Sequence, residues 1–268
     1  MVGLPKTERI ILELSHNWLT ISFNHPETRN SLSQQLTDEI ILSLESVRNE
    51  SSIRGITFRG EGGVFCSGGD LKSFKFGLQG GDKGLSDVER MSEKTGEFFE
   101  LINSFPKPTI MLAEGAAMAG GLGMLCAADI VVVTSDCKFA LTETTLGIVP
   151  AQIAPLIVSR VGLSKARRLM LTASRFHGKE AGEYGIADFV TDNSNELRTV
   201  ESEIKKNIYK CAPGANSITK EIVLATRKLE GDALRKFAAK GFAKAMMSDE
   251  GKEGIAAFVE KRKPKWSE

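Results

Sequence analysis

One carboxylate stands out as a candidate for chemistry, Glu143 in the polar run LTETTLG, because two glycine-rich turns precede it. The first is Ser67-Gly68-Gly69-Asp70 and the second runs from Gly115 to Gly121. Free backbone N–H groups project from the first turn of a helix, and the macrodipole adds partial positive charge there. Glycine lets a ligand oxygen approach those groups closely. Gly120 and Gly121 stand where the short apolar helix Leu122 to Ala128 is expected to start, and FCSGGDL offers a second set of converging amides, with Asp70 placed to cap the segment after it. Donors for a developing negative oxygen beside one carboxylate are the minimum for proton chemistry next to a carbonyl. Taken alone, the two turns read equally well as tight strand-to-helix connections.

The elements that must position these groups are legible as patterns. Thr109 to Ala113 and Ile130 to Thr134 read as buried strands around the second turn, and Ile53 to Arg59 as the strand before the first. Ile10 to Leu14 and Leu19 to Phe23 have hairpin character, with Ser15, His16 and Asn17 as the turn. Ser31 or Ser33 can cap a helix to about Asn49, in which Leu36, Ile40, Leu44 and Val47 form a core-facing stripe. Gly77 to Asp87 is Gly-rich and polar and reads as a mobile loop or lid. Val88 to Ser104 reads as an amphipathic helix. Gly147 to Val158 reads as a turn and a short helix, with Gln152 its only polar side chain, either on the helix surface or bonding into a pocket. Strand–turn–helix units at Ile53, Thr109 and Ile130 suggest a layered, superhelical α/β core over residues 1–195. Residues 196–268 read as mostly helix.

The chain has 268 residues, 41% hydrophobic and 26% charged, with a net charge of +1. That balance fits a globular protein with a sizeable core and gives no bulk field for nucleic acid or an anionic membrane. No apolar run approaches the ~20 residues of a bilayer span. MVGLPKTERIILEL lacks a secretory core and cleavage site, and the four cysteines lack metal-ligand spacing, so they read as reduced thiols in a cytoplasmic protein. The three scattered histidines argue against a metal site. Lys165, Arg167 and Arg168 read as a solvated helix face, since no aromatic residues interleave for base stacking. Arg29 reads as a surface charge or as a phosphate contact.

At FCSGGDL, AEGAAMAGGLGM and FALTETTLGIVP the sequence resembles the crotonase superfamily, the enoyl-CoA hydratase/isomerase proteins. EGIAAFVEKRKPKW resembles the family's terminal helix, so the resemblance covers nearly the whole chain. It implies a spiral of ββα units with a helical C-terminal region that mediates trimerisation, as a homotrimer or a hexamer made of two trimers. It implies that the amides of Gly69 and Gly120 polarise the thioester carbonyl of an acyl-CoA, with Glu143 as the acid/base. Coenzyme A, part of the substrate rather than a separate cofactor, would lie along Ser67, Gly68, Gly69, Asp70, Leu71 and Lys72, with Arg29, Phe258 and Lys261 as further contacts. Gly121, Gly123 and Gln152 would line the substrate pocket.

Family hydratases carry two glutamates, and the first falls at Gly123, which has no side chain. A single carboxylate suits an enoyl-CoA isomerase that shuttles one proton. The run GLGM to TASRF nevertheless resembles the hydratases of methylglutaconyl-CoA and isohexenylglutaconyl-CoA. There one base could activate water at a branched β-carbon, with the branch in the space freed at Gly123. Glu114 and Glu61 are the other carboxylates near the turns and could supply a partner. A non-catalytic acyl-CoA or RNA binder on the same fold is a further alternative, disfavoured by the retained Glu143 and the near-neutral charge.

Overall fold

His16 and Asn17 both take positive φ, 49° and 60°, and this lets the chain reverse in two residues. The strands on either side, β1 (Ile10–Ser15) and β2 (Trp18–Phe23), therefore pair antiparallel with Ser15 opposite Trp18. The computed structural model describes residues 3–70 and 81–267; Leu71, Lys72 and residues 77–80 of the expected loop lie outside them. From β2 onward the main sheet is parallel, in the order β1-β2-β3-β4-β6-β9, with β3 (Gly55–Gly60), β4 (Thr109–Ala113), β6 (Ile130–Thr134) and β9 (Phe189–Thr191).

Strands covered on both faces read as continuous apolar runs, as β4 and β6 do. Along β4, Met111 and Ala113 join the large core on one face, while Ile110 and Leu112 join Trp18 and Val132 on the other. The large core holds α1 (Gln34–Val47), α2 (Gly81–Asn103) and α3 (Gly120–Ala127). Ser33 caps α1 by accepting the Leu36 N–H, and the stripe Leu36, Ile40, Leu44, Val47 is fully buried. On the second face lie Leu197, Ile204 and Ile208 of a later helix, residues Ser194–Tyr209. Arg54 fastens the end of that helix by donating to the carbonyls of Ile208, Tyr209 and Cys211, and to that of Trp266 near the C-terminus.

Two expectations change. Residues 81–87 are not loop but the first turns of α2, held by Phe98, Phe99 and Ile102 buried further along it. Burial of one face outweighs the poor helix propensity of its glycines. Within the turn Gly115 to Gly121 lies a strand, β5 (Ala116–Met118), part of a second sheet with β7 (Lys138–Ala140) and β8 (Phe176–His177). Cys66 bridges to Ala117 and Gly69 to Leu32, extending this small sheet to the first glycine turn. Each unit thus supplies one long strand, one short stretch and one helix or turn.

Beyond β7 come α4 (Ala154–Val161), α5 (Leu163–Thr172) and α6 (Gly178–Tyr184), then α7 (Ser194–Tyr209), the helix noted above. The chain ends in α8 (Pro213–Ala225), α9 (Gly231–Met247) and α10 (Asp249–Val259), which pack on one another. They leave Phe242, Met247, Phe258 and Val259 largely exposed. Among the described residues no helix is long and apolar enough to cross a membrane.

Candidate active site

The second sheet assembles the site. Cys66, Ala117 and Phe139 lie side by side in register. Three residues after Cys66 comes Gly69, three after Ala117 comes Gly120, and four after Phe139 comes Glu143. Parallel neighbours leave a sheet at the same edge, so all three groups emerge together. Ala119 N–H donates to Ala140 O at 2.8 Å, tying the start of α3 to the strand that leads to Glu143.

A Cβ built on Gly120 would stand 3.9 Å from the Gly69 nitrogen, so the two amides border one small space. Neither N–H has an acceptor among the described residues. Gly68 needs to be glycine. Its φ is +100°, and a Cβ there would meet Ala119 Cβ at 3.0 Å and Met118 O at 3.1 Å. The two donor segments therefore touch one residue before each donor. Ala119 itself sits at φ 48°, ψ −118°, a strained turn into α3 of the kind concentrated at functional sites.

Glu143 opens a short 3-10 turn, Glu143–Leu146. Its Oε2 is buried and has no hydrogen-bond partner among the described residues. Burial raises its carboxyl above the ordinary value, opposed by its own backbone N–H. A carboxylate held half out of water with an open oxygen is a base awaiting a proton.

Of the expected coenzyme contacts, Ser67 is tied to the Arg29 loop: its N–H donates to Arg29 O and its Oγ to Thr28 O, both at 3.0 Å. This brings the exposed Arg29 beside the first glycine turn. Asn30, which sequence reasoning missed, is fully buried and donates to the carbonyls of Glu61 and Val64. It pins that loop to the segment leading into the turn. Phe258 and Lys261 belong to the last helix and the turn after it, and nothing in the described chain joins them to Gly69; Phe258 is 86% exposed.

The three expected pocket residues each have close neighbours, and Gln152 also lines a groove between α2 and α4. Gly121 faces Cys66, whose O and Cβ would lie 2.8 and 2.9 Å from an added Cβ, so it serves packing. Gly123 leaves no space. A Cβ there would collide with Ile153 Cγ2 and stand 3.4 Å from the Phe99 ring, so hydrocarbon already fills the position. Gln152 Nε2 donates to Ser92 Oγ at 3.0 Å, and its Oε1 lies against Gly96, so it fastens the turn before α4 to α2. Glu114 is no second acid here, since it accepts from Ser194 Oγ, and Glu61 pairs with Arg59 at 3.2 Å. Lys165 and Arg168 lie over the Tyr184 ring, with Lys165 also donating to the Glu183 and Tyr184 carbonyls at the end of α6.

Two open amides that follow neighbouring strands of one small sheet, and a half-buried carboxyl that follows the third, make the candidate site. Residues 13–268 match the enoyl-CoA hydratase/isomerase family, and the chain belongs to that family of enzymes. It is 31% identical to a probable enoyl-CoA hydratase of Bacillus subtilis, over 90% of this chain and 92% of that one. Among solved structures it is similar to Pseudomonas aeruginosa AtuE, with a TM-score of 0.92, 39% identity, and 97% and 100% of the two chains covered. An enoyl-CoA hydratase/isomerase from Marinobacter aquaeolei gives a TM-score of 0.90 and 36% identity over 97% and 99%.

Proposed function

We propose that this enzyme adds water across the 2,3 double bond of a β-branched, glutaconyl-type acyl-CoA thioester, with Glu143 as its one acid/base. The thioester oxygen takes the N–H groups of Gly69 and Gly120. Glu143 removes a proton from water while the water oxygen bonds to the β-carbon. The electron pair of the double bond moves onto the thioester as an enolate, and the amides hold its charge. Glu143 then returns the proton to the α-carbon and the carbonyl reforms. The observation that carries the proposal is the buried, unpartnered Oε2 of Glu143 at the sheet edge where both amides emerge. A β-carbon with two substituents tolerates developing positive character, so one base suffices, with Glu114 and Glu61 each engaged by other partners.

The branch has no room at Gly123, because Ile153 and Phe99 fill it. It must run elsewhere along the site. Ser67, Gly68, Asp70, Leu71, Lys72 and Arg29 would hold the coenzyme. Phe258 and Lys261 would reach its nucleotide end from a second copy in a trimer or hexamer, in line with the exposed apolar side chains of α9 and α10.

A second reading is favoured by the hydrocarbon at Gly123. One carboxylate with no acid opposite suits an isomerase, in which Glu143 takes a proton from C2 of a 3-enoyl-CoA and delivers it to C4. Three substrates separate these: 3-methylglutaconyl-CoA, crotonyl-CoA and a 3-enoyl-CoA. The proposal expects hydration of the first to be fastest. Conversion of the 3-enoyl-CoA with no hydration of either other substrate would establish the isomerase instead. Tight acyl-CoA binding with no turnover would leave a binder.

A further inference from the structure

The face of α3 that carries the Gly120 amide is walled by side chains from three other segments. Leu32 Cδ1 lies 3.0 Å from a Cβ built on Gly120, and Phe99 Cζ lies 3.8 Å from it. One turn along, Phe99 Cε1 stands 3.4 Å from a Cβ built on Gly123, and Ile153 overlaps that position. Phe99 thus spans the helix from the donor glycine to the next turn. It is 2% exposed and Ile153 is 4% exposed, and both close on the Gly123 position. Behind them is a groove of about 1080 Å³ among α2, α4, α8 and α9, to which Phe99 and Leu156 contribute apolar surface. The Phe99 ring therefore stands between the Gly120 amide and this groove, with Ile153 packed over Gly123 one turn along α3. The Gln152–Ser92 bond holds α2 against the turn before α4, fixing the ring in place.

We propose that Phe99, with Ile153, is the partition that limits acyl length in this enzyme. An acyl chain whose carbonyl oxygen sits at Gly69 and Gly120 starts beside the Phe99 ring. A compact acyl group fits in front of the ring, and a long one collides with it. The enzyme accordingly takes compact acyl groups, and removing the ring joins the site to the groove and admits long ones. This rests on the reading that the thioester oxygen lies at those two amides.

The test measures binding rather than turnover, with non-reacting saturated thioesters. Calorimetry with butyryl-CoA and decanoyl-CoA is run on the full-length wild type, Phe99→Ala and Ile153→Ala. Wild type is expected to gain nothing from the longer chain. Phe99→Ala is expected to raise the decanoyl-to-butyryl affinity ratio by ~10-fold or more, with Ile153→Ala moving it the same way. If Phe99→Ala fails to fold, Phe99→Leu with Ile153→Ala decides. An unchanged ratio in the folded variants, or a wild type that prefers decanoyl-CoA, overturns the inference. Failure of the proposed reaction would show separately, as bound thioester without turnover.

Discussion

Glu143 and Asp129 each come after a short apolar element near the start of the catalytic region, and the fold treats them in opposite ways. Asp129 Oδ2 accepts from the Thr109 N–H and Oγ1 at 2.8 and 2.9 Å and faces Lys220 Nζ at 2.6 Å. Lys220 also donates to the Phe105 and Lys107 carbonyls, and this clamps α8 to the end of the main sheet. Glu143 Oε2 is buried with no hydrogen-bond partner among the described residues. A protein stabilises itself by satisfying polar groups, so a carboxylate left unsatisfied in partial burial marks a place where a ligand or water is meant to complete it.

Glu143→Gln should produce the largest effect. Turnover of the best substrate is expected to fall about 10³-fold, as for loss of a general base, while the melting temperature holds or rises. Activity near wild type together with a lower melting temperature would reverse the comparison and make Glu143 the structural acid. Lys220→Met should do the converse. It leaves Asp129 and two carbonyls short of a donor, and about 2–3 kcal/mol of stability is expected to go, read by urea unfolding, with kcat little changed.

The smallest effect concerns pH. Burial raises the Glu143 carboxyl above its ordinary value, so the folded state favours the protonated form. Activity that needs the carboxylate should therefore fall, as pH drops, at a higher pH than for a free carboxylic acid. Any stability from this preference is present below the unfolded value and lost as pH rises through the folded one. A rate–pH profile on wild type beside a pH series of unfolding for wild type and Glu143→Gln checks both. An acid limb at or below the ordinary carboxylate range would remove Glu143 as the partly desolvated base.

Much of this molecule could be read in one dimension. The long strands showed as apolar runs because both their faces are buried, and the stripe of α1 showed at helical spacing. The glycine turns and Glu143 were visible as residue types, but the turns alone also fitted plain strand-to-helix connections, and their roles came from the family resemblance. The strands of the second sheet did not show: β5 and β7 are three residues long and β8 two, too short for an alternating pattern to declare itself. The start of α2 was missed because its glycines signal loop, while the buried Phe98, Phe99 and Ile102 that hold it come about three to five turns later.

Residue types alone marked which turns carry glycine and which position beside them holds an acid. Which of these stretches lie side by side was decided by the register of the small sheet, where Cys66, Ala117 and Phe139 pair across stretches far apart in the chain. Gly123 shows the same division. A missing side chain is written in the sequence, but whether it leaves a space depends on what packs there, and Ile153 and Phe99 arrive from other elements to fill it. Close packing forbids a void that neighbouring hydrocarbon can reach, and only the folded chain brings those neighbours into contact.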